Sequence, residues 1–123
     1  MSSDAIDFSI LIGPHVPVRS FNAGETIFNE GDPATELYVI QKGRVGIQTG
    51  NRLLDTLEAN SIFGEMALVD SAPRSATAVA VTDVTLVPIS EKQFLFLISQ
   101  MPYFALNVMR VSARRLRTAN KAI

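Results

Sequence analysis

The sequence predicts a mainly β fold, a jelly-roll β-roll followed by two C-terminal helices. Three observations carry this. Short runs with period-two alternation or β-branched residues fill positions 16–89. Turn residues punctuate them at short intervals, the rhythm of a small barrel or two-sheet jelly roll. After Pro88 the texture changes to helix.

In chain order, the strand-like runs are 16–21, 26–28, 36–41, 44–49, 52–57, 76–81 and 84–89. Asn22-Ala23-Gly24, Glu30-Gly31-Asp32-Pro33, Lys42-Gly43, Gly50-Asn51 and Thr82-Asp83 separate them. Gly24, Gly31, Gly43 and Gly46 read as turn or bulge devices. Ser90, followed by Glu91, Lys92 and Gln93, reads as a helix cap and first turn. The helix continues through 94–99, breaks at Met101-Pro102, and resumes to about Asn120, proline being tolerated in a first turn. A short helix is expected over 4–12. The 123 residues are expected to form one domain, with the β-roll over about 16–90 and the helices over about 91–120.

Composition narrows the function classes. A hydrophobic fraction of 47% fits a folded chain. No apolar run approaches the ~18 residues a membrane span needs. The first residues carry acid where a signal peptide carries base. With no cysteine there is no disulfide framework, thiolate metal site or cysteine nucleophile. A cytoplasmic location is therefore expected. His15 is the only histidine, so a metal-dependent enzyme on a similar barrel, which wants two or three histidines with a carboxylate, is disfavoured. It reads as a surface-loop residue. No metal site and no catalytic residue are expected.

The net charge of −1 hides an asymmetry. Residues 1–91 hold all 12 acids and five bases, whereas residues 92–123 hold six bases and no acid. Such a basic helix can bind nucleic acid or pack on its own acidic body.

The chemistry concentrates in residues 63–77, Phe-Gly-Glu-Met-Ala-Leu-Val-Asp-Ser-Ala-Pro-Arg-Ser-Ala-Thr. Gly64 permits close backbone approach to a ligand. A helical turn starting at Glu65 would aim free N–H groups at an anion. Arg74 can fork two donors onto phosphate oxygens, and Glu65, an acceptor only, suits a sugar hydroxyl. Spacing alone leaves Arg74 an alternative, an internal salt bridge to Glu65 or Asp70, since a buried guanidinium needs a partner. Glu65 has the matching alternative, as partner to Arg74 or as a helix N-terminal acid.

This run closely resembles the phosphate-binding cassette of cyclic nucleotide-binding domains. The order of Gly24, Gly31 and Gly43 and the segments 23–33 and 36–45 extend the resemblance over nearly all the chain. It implies a β-roll followed by helices and no enzymatic activity. It also implies a cyclic nucleotide ligand held by Gly64, Glu65, Met66, Ala67, Arg74 and Ser75. Glu65 would accept from the ribose 2′-hydroxyl. Serine after the arginine, where threonine goes with cyclic GMP, leans towards cyclic AMP, with cyclic GMP as the alternative ligand. By the same analogy the last helix closes over the base, making Arg115, Thr118 and Ala119 base contacts.

Leu106, Met109, Ala113, Leu116, Asn120 and Ile123 alternate at spacings of three and four, a seam for a parallel homodimer, while Phe104, Val108 and Val111 form a second stripe towards the barrel. Family transcription factors continue into a helix-turn-helix DNA-binding domain, and no recognition helix follows in this sequence. The module is expected either to contact a separate effector protein or to be the sensor part of a longer regulator. A degenerate member serving only dimerisation or docking is the remaining alternative.

Overall fold

The computed structural model describes residues 16–121, so the expected helix over 4–12, His15 and Ile123 lie outside the described residues. Two four-stranded antiparallel sheets face one another. The first has the order β1 (Arg19–Phe21), β8 (Val84–Ser90), β3 (Glu36–Lys42), β6 (Ile62–Phe63). The second has the order β2 (Thr26–Phe28), β7 (Thr77–Ala80), β4 (Val45–Thr49), β5 (Arg52–Leu57). Among the described residues three helices accompany the sheets: α1 (Glu65–Asp70), α2 (Glu91–Gln100) and α3 (Pro102–Lys121).

The first sheet is apolar on both faces, and the alternation of side chains along its strands explains why. Tyr38 and Ile40 of β3, Phe63 of β6 and Val84 and Leu86 of β8 point between the sheets, where they meet Val45, Leu57, Ala78 and Ala80. The intervening residues Leu37, Val39, Ile62, Val87 and Ile89 point outward and pack against Phe94 and Leu97 of α2 and Phe104, Val108 and Val111 of α3. A strand buried on both faces reads as a continuous apolar run, as 37–40 does. Each buried Val, Leu, Ile or Phe among them contributes roughly 1.5–3 kcal/mol. The stripe Phe104, Val108 and Val111 faces the roll as expected.

The α2 start is the capping box that Ser90 announces. Its hydroxyl accepts from the Gln93 N–H at 3.2 Å, and the Gln93 side chain accepts from the Ser90 N–H at 2.8 Å. At the other end, the Met101 N–H donates to the Leu97 carbonyl before Pro102 opens α3.

Some boundaries differ from expectation. β1 begins at Arg19 rather than at 16. β6 has only two residues, too few for any periodicity to register. Gly46 is no turn device: it lies in register inside β4, opposite Thr56 and Val79. An added Cβ there would sit 3.2 Å from Val81 Cγ2, so that side chain would have to give way by a few tenths of an ångström.

Candidate functional site

The chain leaves the roll at β6 and passes through Gly64 into α1. Gly64 takes φ of +81°, a left-handed conformation that glycine adopts without a Cβ penalty. A Cβ there would also lie 2.6 Å from Arg74 Nη1. Backbone conformation therefore favours glycine at this position, and an added Cβ would force the Arg74 guanidinium to shift.

Arg74 is only 5% exposed. Its Nη1 donates to the Gly64 carbonyl at 3.0 Å and its Nη2 to the Glu36 carbonyl at 2.7 Å. The guanidinium carbon lies 4.1 Å from the Phe28 ring centroid and 5.7 Å from that of Tyr38. Burial pulls the Arg74 pKa below its ordinary value, against the opposing influence of Tyr38, Glu36 and Asp32. Its Nε is buried with no hydrogen-bond partner.

Glu65 is 1% exposed, and its partner is not Arg74. Arg115 of α3 donates from Nη1 to Glu65 Oε1 at 2.7 Å, and from Nη2 to the Ile62 carbonyl at 2.7 Å. The sequence alternative that joined Arg74 to Glu65 is thus corrected. Arg115 comes from a helix that packs on the first sheet, and only the folded chain brings it to the start of α1. The side chain of Asp70, the other partner considered, lies outside the described residues.

Of the remaining expected residues, Met66 is half-buried in α1 and Ser75 is exposed beside Arg74. Ala67 belongs to α1, and Thr118 and Ala119 belong to α3 one turn beyond Arg115; their side chains are outside the described residues. The structure thus brings Gly64, Glu65, Arg74 and Arg115 together.

Sequence reasoning missed four residues around Arg74: Arg19, Phe28, Glu36 and Tyr38. Arg19 Nη1 pairs with Glu36 Oε1 and donates to the Tyr38 hydroxyl at 3.1 Å, which in turn donates to Glu36 Oε1 at 2.8 Å. Burial, then the hydrogen bond and negative charge of Glu36, push the Tyr38 phenol up to about 12. A tyrosine inside the apolar run 37–40 was the one available signal, since a buried phenol needs a partner.

A two-sheet roll with helices packed on one face, and a buried arginine and a buried carboxylate where roll meets helix, defines a class of small ligand-binding β-roll domains. The chain belongs to the cyclic nucleotide-binding domain family, whose family model matches residues 18–101. It is 37% identical over 107 residues to the cyclic AMP receptor protein of Thermus thermophilus, covering 83% of this chain and 50% of that protein. It is 34% identical over 97 residues to a cyclic nucleotide-gated potassium channel of Rhizobium etli, covering 79% of this chain and 27% of the channel. Among solved structures, the Thermus thermophilus catabolite activator protein superposes with a TM-score of 0.78 at 37% identity, over 87% of this chain and 53% of that one. The cyclic AMP-bound form of the EAL enzyme Bd1971 superposes with a TM-score of 0.65 at 37% identity, over 85% of this chain and 30% of the enzyme. The chain spans about half the length of the receptor-type curated relatives it matches. Among the described residues, no single helix is long and apolar enough to cross a membrane.

Proposed function

We propose that the chain acts as one non-enzymatic sensor module that binds a cyclic nucleotide, cyclic AMP in preference to cyclic GMP. The cyclic phosphate sits on Arg74, Ser75 and the backbone N–H groups of residues 65–67, with Gly64 allowing the approach. The ribose 2′-hydroxyl donates to Glu65. The observation that carries this reading is Arg74, a cation 5% exposed that makes no ion pair among the described residues and keeps a buried donor at Nε. The direct hydrogen bonds of this buried cation go to neutral carbonyls, with Glu36 and Asp32 compensating its charge only from a distance, so a phosphodiester can supply a direct counter-charge. Serine at position 75 supports the cyclic AMP preference, and a similar cyclic AMP receptor protein and a cyclic AMP-activated regulator point the same way.

Binding is coupled to α3 through Glu65. The same carboxylate that takes the ribose holds Arg115, so a ligand there changes what fastens the helix. Thr118 and Ala119, one turn further on, are the residues of α3 assigned to the base, with Arg115 shared between base side and carboxylate. A ligand with different affinity for two placements of α3 shifts their populations, and that shift is the signal. The module forms a homodimer along the seam containing Met109 and Ala113, both exposed on α3 while Phe104, Val108 and Val111 face the roll. Its output passes to an effector, separate or covalently linked.

Titration calorimetry with both nucleotides tests the reading. Micromolar or tighter cyclic AMP, about −8 kcal/mol, with weaker cyclic GMP is the expected result. No heat and no thermal shift with millimolar amounts of either would leave a docking module of the same fold.

A further inference from the structure

Arg74 is held in two different ways. Its two terminal nitrogens are fixed within the guanidinium plane by the carbonyls of Gly64 and Glu36. Those bonds leave the tilt and height of the plane free. What limits them is the Phe28 ring, 4.1 Å from the guanidinium carbon, closer than Tyr38 at 5.7 Å. Phe28 cannot easily yield, because its own ring packs on Tyr38 at 6.2 Å and Phe63 at 5.9 Å, which themselves stack at 5.3 Å. Tyr38 is in turn tethered through its hydroxyl to Glu36 and Arg19.

The same segment also holds the Arg74 main chain. Phe28 is the last residue of β2, and the turn after it is closed by the Asn29 N–H donating to Asp32 Oδ2 at 2.9 Å. From that turn, the Gly31 N–H donates to the Arg74 carbonyl at 2.8 Å, and the Arg74 N–H donates to the Asp32 carbonyl at 2.9 Å. Backbone and side chain of the arginine are thus referenced to one short stretch of chain, 28–32.

We propose that Phe28 is a positioning residue for Arg74, its ring face setting the plane from which the guanidinium meets an anionic phosphodiester. This rests on Arg74 being the phosphate ligand, as proposed above. A flat ring attracts the cation through its quadrupole and resists tilting, and an aliphatic side chain of similar bulk does neither.

Phe28→Leu, Phe28→Tyr and a control, Ile47→Ala, separate positioning from packing. Ile47 packs against the same core cluster from β4, so its truncation costs stability there. By calorimetry, Phe28→Leu is expected to weaken cyclic AMP binding about tenfold, with Phe28→Tyr within about threefold of wild type. Ile47→Ala is expected to lower the melting temperature while leaving affinity near wild type. Equal affinity in Phe28→Leu and wild type, or a loss in Ile47→Ala as large as in Phe28→Leu, overturns the proposal. A wild type that binds no cyclic nucleotide fails the sensor reading instead. The Arg74 Nε–H proton resonance then decides the positioning role: an upfield ring-current shift abolished in Phe28→Leu and kept in Phe28→Tyr supports it, and an unshifted resonance in wild type overturns it.

Discussion

Arg115 reaches Glu65 from 50 residues away in sequence, donating from Nη1 to Oε1 at 2.7 Å. The contact ties the last helix to the first residue of α1 through a carboxylate that is otherwise sealed in the core. Arg115 also caps the Ile62 carbonyl, so one guanidinium spans the passage from β6 to α1. Whatever alters the Glu65 carboxylate therefore alters the anchorage of α3.

Removing the arginine should expose that anchorage. Arg115→Ala leaves Glu65 buried without its charged partner, and loss of one member of such a pair costs on the order of 3 kcal/mol. A lowered melting temperature is expected, with faster amide exchange over 102–120. Unchanged exchange there, with or without cyclic AMP, would contradict the coupling.

Arg74 should matter more for the ligand than Glu65. Arg74→Ala is expected to weaken cyclic AMP binding by roughly 2–5 kcal/mol, the range for a buried charged hydrogen-bonded pair. Arg74→Lys should restore only part of it, because the fork is lost. Calorimetry on the folded variants reads the order directly, and wild-type affinity in Arg74→Ala would make the arginine structural.

Gly64→Ala is a small change with two costs. The alanine must hold φ of +81°, a strain of order 1–3 kcal/mol, and its Cβ must displace Arg74 Nη1 from 2.6 Å. Lower stability together with weakened nucleotide binding is expected. An alanine variant with wild-type melting and affinity would show that the loop relaxes freely.

Alkaline pH should find Tyr38. Its phenol titrates at about 12 in the fold against an ordinary 10, so the folded state holds the proton more tightly. That stabilisation is complete below pH 10 and is lost as the pH rises from 10 through 12. Melting curves across this window should show a decline that Tyr38→Phe lacks. Parallel declines in both proteins would place the titration elsewhere.

The exposed seam on α3 makes a statement about assembly. Met109 is 61% exposed on a helix whose opposite stripe is fully packed, so pairing with a second copy would bury it. Sedimentation at tens of micromolar is expected to give a dimer, and Met109→Glu to weaken it. A monomer both with and without nucleotide would remove the homodimer.

The strand rhythm, the Ser90 cap, the helix break before Pro102 and the cassette around Gly64, Glu65 and Arg74 were legible in the sequence because each is written in neighbouring residues. Periodicity, capping and turn chemistry act over a few positions, and a one-dimensional reading captures them. The tertiary structure alone decided who meets whom. Arg74 takes carbonyls from Gly64 and Glu36 and rings from Phe28 and Tyr38, while Glu65 turns to Arg115. These partners come from β2, β3 and α3, and their meeting depends on which strands pair and which helix face packs on the first sheet. Two carbonyls and an aromatic face leave no motif in a sequence, because every residue has a carbonyl and most phenylalanines are simply core. A charged residue announces that it needs a partner, but only the closed fold selects one.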